Sequence, residues 1–436
     1  MTHARQGEQP DIVLIHGHDF GDWLSCYGRP SVPTPRIQRF ADQGIVFDNA
    51  FATSPLCTPA RSSIFTGMLP HQNGLLGLSH AGWRYGEGVV TLPEHLGSLG
   101  YRTALLGLQH EDLDARALGY DEVHGLGFLP RGLEVARLTE RWVSGVAQVE
   151  ERPIFAAIGL WEAHRPWPAE DYDHVDPATV DVPPYLPDNE HTRADLAGFY
   201  GALAQMDEAF ARIVEAFDRS GRTRPLVVVL TTDHGIAFPR AKSTLYDSGV
   251  KVSFVVRPPA GWGLTPGRRE ELVSHLDIVP TFIDLAGGEQ PEGLSGQSIV
   301  DLLESPSDHP DDRALFLEKT YHDRFDPIRA VRTRTAKLIR NYADAPRLPL
   351  PLDLELSETR AGMGDAHLAP RPREELYDLV ADPDEGRNVV DEPDYATVRQ
   401  DLGTMLDVHL RESEDPVVFG EMPQPEAPRA RGVRVR

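Results

Sequence analysis

Cysteine and long apolar runs are both scarce in this chain. Its 436 residues include two cysteines, Cys26 and Cys57, too few for the disulfide framework of a small secreted domain. The first apolar run, IVLIH at 12–16, is far too short for a signal-peptide core or a membrane span. We therefore expect a cytoplasmic protein with reduced thiols, without a signal peptide, a transmembrane segment or a membrane partner.

Positive charge is also in short supply. The chain has 43 lysines and arginines against 67 aspartates and glutamates, which gives a formal net charge of −24. A field of that sign repels phosphate backbones and anionic lipid surfaces, so the charge excludes nucleic acid as a general partner. An anionic small substrate requires a site where local basic side chains or a metal ion reverse the sign.

Apolar strands alternate with helices along the first two thirds of the chain. The predicted strands are residues 12–16, 101–107, 154–160 and 225–233, and the predicted helices follow Cys57 and cover 91–100 and 194–221. The strands are apolar at successive positions, as in parallel strands that are covered on both faces. The pattern predicts an α/β fold with a large, mostly parallel sheet flanked by helices.

The last third of the chain has a different pattern. The segments ALFLE, IRAVRTR, KLIRNY and EELYDLV precede a helix near 394–411, and they predict a smaller antiparallel sheet with a terminal helix. We divide the chain into an α/β domain over 1–310, a smaller α+β subdomain over 311–420 and a frayed tail over 421–436. The proline-rich stretch 165–192 and the irregular stretch 343–373 are expected to wall a pocket.

Metal-capable side chains follow two of the predicted strands. His18 and Asp19 come just after the first strand, and Asp233 and His234 follow the strand at 225–231. Open α/β sheets place ligands at the carboxyl ends of their strands. The alternative to a metal site, for either pair alone, is an aspartate that caps a helix beside a histidine that is merely hydrogen-bonded. Two such pairs at comparable strand ends favour a shared metal site.

The stretch SPLCTPARSSIFTG places Cys57 beside a predicted helix start. Pro59 suits the first helical turn, because its missing N–H group has no partner to lose there. Cys57 therefore lies near a helix N-terminus, which favours an anion, and Arg61 follows one turn later with donors suited to an oxyanion. These residues fit a thiolate nucleophile, whereas a buried free cysteine without a chemical role is the structural alternative.

These residues resemble those of a known family. C-T-P-A-R at 57–61 is similar to the C-x-P-x-R signature of the type I sulfatases, which belong to the alkaline phosphatase superfamily, and the chain most resembles their sulfamidase-like bacterial branch. The flanking segments IVLIHGHDFGDW, LTTDHG, AKSTLYDSGVKVSFVVRPP and ELYDLVADPDEGRN occur in the family's order and span nearly the whole chain. The resemblance implies that a formylglycine-generating maturation enzyme oxidises Cys57 to formylglycine, whose aldehyde hydrate is the nucleophile.

The resemblance also implies roles for individual side chains. His18, Asp19, Asp233 and His234 match the family's metal ligands, together with an oxygen of modified Cys57. Arg61 matches the arginine that orients the nucleophile, and His110 matches the histidine that takes up a proton. His164 matches a histidine that binds substrate, and Lys242 matches a lysine that contacts the sulfate and the leaving-group oxygen. The implied substrate is a small anionic sulfate ester.

Two positions depart from the family's pattern. Leu108 stands where the family has a lysine, so one cationic contact to the sulfate is absent. His18 stands where the family has an aspartate. Calcium is the family's expected cation, but two imidazoles with two carboxylates also suit Mn²⁺, Zn²⁺ or Fe²⁺.

Three functions are compatible with these residues. The first is a metal-dependent hydrolase of sulfate esters or sulfamates that uses formylglycine at position 57. The second is a phosphonate or phosphate ester hydrolase on the same scaffold, because tetrahedral phosphorus and sulfur oxyanions require similar sites. The third is a non-catalytic binding protein, which the loss of the lysine at Leu108 makes worth testing.

Overall fold

A computed structural model describes residues 8–125, 130–146, 149–307, 313–420 and 422–425 of the chain. Within these residues the strands form one large and one small sheet. The strands of the large sheet are β1 (Asp11–Gly17), β2 (Ile45–Phe51), β3 (Arg102–Gly107), β4 (Glu122–His124), β5 (Ile154–Gly159), β6 (Leu226–Thr232), β7 (Phe254–Arg257) and β8 (Gly267–Ser274). Those of the small sheet are β9 (Leu315–Tyr321), β10 (Phe325–Arg332), β11 (Ala336–Asn341) and β12 (Glu374–Asp378).

Helices flank both sheets. Their bounds are α1 (Pro35–Ala41), α2 (Cys57–Thr66), α3 (Pro70–Asn73), α4 (Leu92–Ser98), α5 (Gly132–Val146), α6 (Glu190–Asp218), α7 (Asp247–Val250), α8 (Ile278–Leu285), α9 (Val300–Glu304), α10 (Leu352–Glu355), α11 (Glu358–Ala361) and α12 (Ala396–Glu412). Among the residues described, none of these helices is both long and apolar enough to cross a membrane.

The large sheet has the order β4-β3-β5-β1-β6-β7-β2-β8. Its neighbouring strands are parallel except at β7, which runs antiparallel to both β6 and β2. The small sheet has the order β12-β11-β10-β9, and its neighbours are all antiparallel. The predicted fold class, a mostly parallel sheet with helices and a smaller antiparallel sheet with a terminal helix, is confirmed.

Both faces of the large sheet are buried, which explains the uninterrupted apolar run in β1. Val13 and Ile15 pack in one hydrophobic cluster with side chains of α5 and α6, such as Phe210. Ile12 and Leu14 point to the other face and pack with side chains of α2, α4 and α8. These four β1 residues are 0% exposed. Parallel strands covered on both faces lose the polar alternation of half-buried ones.

The small sheet packs against the large one. One of its faces shares a cluster with Phe51 of β2 and Leu272 of β8, and α12 covers the opposite face through residues such as Leu406. The predicted domain boundary at 310 lies outside the described residues, as does most of the predicted tail at 421–436. The division into two domains therefore stays a prediction, and the apolar contact between the sheets holds the two parts together.

Candidate functional site

The carboxyl ends of β1 and β6 lie side by side and present two pairs of metal-capable side chains. The strands pair in parallel up to Gly17 and Thr232, so His18–Asp19 and Asp233–His234 leave the sheet at the same level. Asp19 has a left-handed backbone (φ 56°), a conformation that aspartate tolerates better than most residues. Its N–H donates to Asp233 Oδ1 at 2.9 Å, which ties the two pairs together.

Cys57 is the first residue of α2 and enters this cluster from the opposite side. Its Sγ lies 3.1 Å from His18 Nε2 and 3.6 Å from His234 Nε2, and the residue is 3% exposed. Both cysteines of the chain are free. The preceding Leu56 offers no side-chain acceptor to the first turn of α2. The N-terminal N–H groups of α2 therefore begin at Cys57 without a side-chain cap from the preceding residue.

The donor atoms of Asp19, Cys57, Asp233 and His234 all lie within 4.8 Å of one another. His18 Nε2 lies 3.1 Å from Asp233 Oδ2, and His234 Nε2 lies 3.1 Å from Asp19 Oδ1. Two carboxylates, the Cys57 sulfur and the His234 imidazole therefore converge within the range of a single coordination sphere, and the His18 imidazole adjoins them.

The hydrogen bonds around these donors fit a divalent cation. Within the described part of the chain, Asp19 Oδ1 is buried and has no hydrogen-bond partner, a costly state for a carboxylate oxygen unless a cation binds it. His234 Nδ1 lies 3.0 Å from the Gly235 carbonyl oxygen. That contact assigns the ring proton to Nδ1 and leaves the Nε2 lone pair directed at the carboxylates, as in metal-ligating histidines.

Arg61 is fully buried behind the donor cluster. Its Nη1 lies 2.6 Å from His16 Nδ1, and its Nη2 donates to the Gly17 carbonyl at 2.9 Å and to Asp233 Oδ2 at 3.1 Å. These contacts fix the end of β1 and the carboxylate of Asp233. The predicted role of Arg61 in orienting the nucleophile stays a prediction. We did not predict the contact with His16, although this polar residue lies in the first predicted strand, two residues before His18.

Lys242 and His164 lie beside Asp19. The Lys242 Nζ donates to Asp19 Oδ2 at 2.7 Å and to Asp353 Oδ2 at 2.9 Å, and it lies 3.4 Å from His164 Nε2. The ring of His164 packs against the ring of His18 with 4.5 Å between centroids. Both predicted residues thus adjoin the donor cluster. Asp353 was missed, because it lies in the irregular stretch 343–373, where no local pattern marks a site residue.

His110 stands at the edge of the site. Its ring lies 6.2 Å from the His18 ring and stacks on the ring of His80 at 5.5 Å. Thr58 Oγ1 donates to the His110 carbonyl at 2.6 Å, so the first turn of α2 holds this residue near Cys57. His80 was not predicted, because it follows no strand end. The nearby Leu108 is 6% exposed and adds no charge to the site.

Burial and neighbouring charges set the protonation of these groups. Burial raises the pKa of the Cys57 thiol well above its usual value, so the unmodified residue is a protonated thiol and a poor nucleophile. Burial lowers the pKa of His110 to about 3, with help from Arg61. Burial acts to lower the pKa of Lys242, but Asp19 and Asp353 outweigh it, and the ammonium persists.

A fully buried histidine behind the site makes stability depend on pH. His275 lies 3.4 Å from Thr231 Oγ1, and burial lowers its pKa to about 3. Between about pH 6.5 and 3 the unfolded chain binds a proton at His275 that the folded chain does not bind. The free energy of unfolding is therefore expected to decrease as the pH is lowered through this window. His275 contributes up to about 1.4 kcal/mol per pH unit to the decrease.

Urea unfolding at pH 7, 6, 5 and 4 measures this dependence. The His275→Gln variant keeps an acceptor near Thr231 but cannot bind the proton, so its free energy of unfolding should fall less steeply with pH. Parallel curves for the variant and the unmodified chain would contradict this account.

Comparisons with known proteins identify the family of the chain. The sequence profile described as "Sulfatase" matches residues 10–288, and the profile described as "N-sulphoglucosamine sulphohydrolase, C-terminal" matches residues 235–356. N-sulphoglucosamine sulphohydrolase of Homo sapiens is 27% identical over 469 residues, an alignment that covers 94% of this chain and 91% of the human protein.

Solved structures share the fold. A protein solved in complex with its substrate D-glucosamine-2-N,6-O-disulfate has a TM-score of 0.71 and 18% identity, with 94% of this chain and 99% of that chain covered. The phosphonate monoester hydrolase of Agrobacterium radiobacter has a TM-score of 0.72 and 20% identity, with 94% and 97% covered. Because the sulfatase profile spans more than half of its residues, the chain belongs to the sulfatase family and is a sulfuric ester hydrolase.

Proposed function

We propose that this sulfatase hydrolyses sulfate esters or sulfamates with an aldehyde hydrate formed at Cys57, after a maturation enzyme has oxidised the residue to formylglycine. One observation carries the proposal. Cys57 is the first residue of α2, and its Sγ belongs to a cluster with Asp19, Asp233 and His234 whose donor atoms lie within 4.8 Å of one another. A buried, protonated thiol has little use there as a nucleophile, whereas an oxidised side chain would meet both helix N–H groups and cation ligands.

The proposed metal ligands are His18, Asp19, Asp233 and His234. A divalent cation held by them would supply positive charge that favours an ionised hydroxyl at position 57 and stabilises charge on the sulfate. Two imidazoles among four ligands suit Mn²⁺, Zn²⁺ or Fe²⁺ as well as the calcium expected from the family. Arg61 holds Asp233 in place through the contact at 3.1 Å between Nη2 and Oδ2.

The hydrate has two hydroxyl groups, and each has its own step. One hydroxyl would release its proton to water, and its oxygen would attack sulfur as the bond from sulfur to the leaving oxygen or nitrogen breaks. Lys242 gives the leaving atom a proton and regains one through water after the second step has released one to His110. His110 then removes the proton of the second hydroxyl, the bond between carbon and the sulfate oxygen breaks, and sulfate leaves as the aldehyde returns. Addition of water to the aldehyde restores the hydrate. A serine or cysteine has no second hydroxyl for this release.

Lys242 and His164 contact the substrate in this proposal. Lys242 is a buried ammonium beside Asp19, where it would stabilise charge on the sulfate and on the leaving atom. His164 Nε2 lies 3.4 Å from the Lys242 nitrogen and 3.7 Å from Asp19 Oδ2, so it adjoins both groups.

A phosphonate or phosphate ester hydrolase is the second candidate. The likeness in fold to the phosphonate monoester hydrolase of Agrobacterium radiobacter favours it, since the same scaffold there serves a phosphorus oxyanion. A site built for one tetrahedral oxyanion offers similar contacts to the other.

The experiment combines a mass measurement with a substrate panel. The chain is expressed with and without a formylglycine-generating enzyme, and the peptide containing Cys57 is weighed. Conversion of cysteine to formylglycine removes one sulfur and two hydrogens from the residue and adds one oxygen. We expect conversion in the coexpressed protein and the highest kcat/KM on a sulfate ester or sulfamate. An unconverted peptide with unchanged turnover, or a higher kcat/KM on a phosphonate monoester or phosphodiester, would contradict the proposal.

A further inference from the structure

The ammonium of Lys242 has an acceptor from the chain for each of its hydrogens. Asp19 Oδ2 lies at 2.7 Å, Asp353 Oδ2 at 2.9 Å and His164 Nε2 at 3.4 Å. The His164 Nδ1 faces the Arg165 carbonyl at 2.5 Å, so Nε2 is the ring nitrogen that faces Lys242. A substrate oxygen therefore reaches Lys242 only by sharing or replacing one of these three contacts.

Asp353 is the acceptor that faces outward. Its side chain is 23% exposed, whereas the side chain of Asp19 is 0% exposed and lies among the proposed metal ligands. Asp353 belongs to α10, a single turn of helix whose first N–H, from Leu352, donates to Asp323 Oδ2 at 3.0 Å. A second anchored carboxylate thus stands beside the segment that carries Asp353.

Asp353 is ionised at neutral pH. Burial acts to raise its pKa, but Lys242 together with His164 and His322 outweighs burial and holds the pKa far below its usual value. The mouth of the site therefore carries a negative charge beside the cation that is proposed to bind the sulfate. This charge repels every anion that approaches Lys242, and the electrostatic repulsion doubles when the ligand carries a second negative charge.

We propose that Asp353 is a specificity-determining residue, which restricts the site to tetrahedral esters with one negative charge and disfavours dianions such as phosphate monoesters. The inference rests on the proposed function, because it takes Lys242 as a substrate contact. Sulfate monoesters and sulfamates carry one charge, whereas a phosphate monoester carries two above its second ionisation near pH 6. At a separation of about 5 Å near the surface, each ligand charge costs on the order of tenfold in affinity.

The inference narrows the second candidate function as well. Phosphonate monoesters and phosphodiesters carry one charge and are compatible with Asp353. Phosphate monoesters, which carry two charges, are the esters that the Asp353 carboxylate repels most. The overall charge of −24 does not by itself distinguish singly from doubly charged esters at a single site.

Binding of two unreactive isosteres to the full-length, matured protein tests the role of Asp353. Benzenesulfonate carries one charge, and phenylphosphonate carries two above its second ionisation. Calorimetry in that pH range should show tighter binding of benzenesulfonate to the unmodified chain. In Asp353→Asn, affinity should rise about tenfold for benzenesulfonate and about a hundredfold for phenylphosphonate, which shifts their ratio about tenfold.

Two variants on the same helix complete the test. Glu355→Gln removes an equal charge from a residue that pairs with Arg360 at 3.5 Å, and it should leave the ratio of the two affinities within about threefold. Asp353→Glu keeps the charge and should keep the unmodified ratio. An unchanged ratio in Asp353→Asn, or the same change in Glu355→Gln, would overturn the inference, as would weaker binding of both isosteres to Asp353→Asn.

This experiment separates the inference from the proposed function. Calorimetry reports binding without turnover, so an altered affinity ratio supports the role of Asp353 even in a preparation that fails to hydrolyse sulfate esters. If the protein hydrolyses sulfate esters but its Asp353→Asn variant keeps the ratio of the two affinities, the inference is refuted and the proposed function is not.

Discussion

Replacing Cys57 with alanine is expected to lower kcat for sulfate ester hydrolysis by about 10⁴- to 10⁶-fold, the range typical of losing a covalent nucleophile. Alanine cannot be oxidised to formylglycine, so neither hydroxyl of the hydrate forms. The side chains of Asp19, Asp233 and His234, which cluster with Cys57, and the adjoining His18 would remain. Steady-state turnover of an aryl sulfate by the coexpressed protein measures the loss.

The second cysteine provides a matched control. Cys26 is also buried, at 4% exposure against 3% for Cys57, and it lies in a short turn within the main hydrophobic core. Burial raises the pKa of Cys26 to about 12, so this thiol too is protonated at neutral pH. Cys26→Ala should lose some stability through its small cavity but keep its turnover.

The two replacements give distinguishable results. If Cys57→Ala and Cys26→Ala lose turnover to the same extent while both remain folded, the nucleophile does not derive from Cys57. A Cys57→Ala protein that keeps the unmodified kcat would contradict the formylglycine mechanism directly.

Much of the fold was predictable because each buried parallel strand repeats one pattern. The runs at 12–16 and 225–233 are apolar at successive positions, and the structure contains them as β1 and β6. The direction of β7 was not predictable, because the run FVVR is apolar in the same way. Strand direction depends on the connections and on the neighbours, which the apolar pattern of a four-residue run does not specify.

The inner part of the site was predictable for a related reason. His18, Asp19, Asp233 and His234 follow strand ends, and parallel pairing brings such ends together without any knowledge of the loops. The outer part of the site, which contains Asp353, was not predictable. Asp353 reaches Lys242 from 111 residues away, on one turn of helix inside an irregular stretch. Contacts of that kind depend on how the irregular stretch packs against the main core through Leu350 and Leu354, and no local periodicity predicts that packing.

The Asp19→Asn variant is expected to bind its divalent cation more than about 100-fold more weakly, a larger loss than an outer-shell partner usually causes. The Asp19 Oδ1 is a buried acceptor without a hydrogen-bond partner among the described residues, and its Oδ2 holds Lys242 at 2.7 Å. An amide keeps the size of the side chain but removes the charge that favours a cation. The activity should fall in parallel, because the same change loosens Lys242.

Metal content after equilibrium dialysis, measured by mass spectrometry at several concentrations of Ca²⁺, Mn²⁺ and Zn²⁺, gives a readout that does not depend on turnover. Asp22→Asn is the matched control, because it removes one carboxylate three residues further on. Asp22 pairs with Arg29 at 3.4 Å and lies 3.9 Å from Lys251, outside the donor cluster. If Asp19→Asn retains the metal content of the Asp22→Asn protein, Asp19 is not a ligand. If only Asp19→Asn loses the cation, the paired strand ends of β1 and β6 bind it, and the order of the three affinities identifies the metal that the two imidazoles favour.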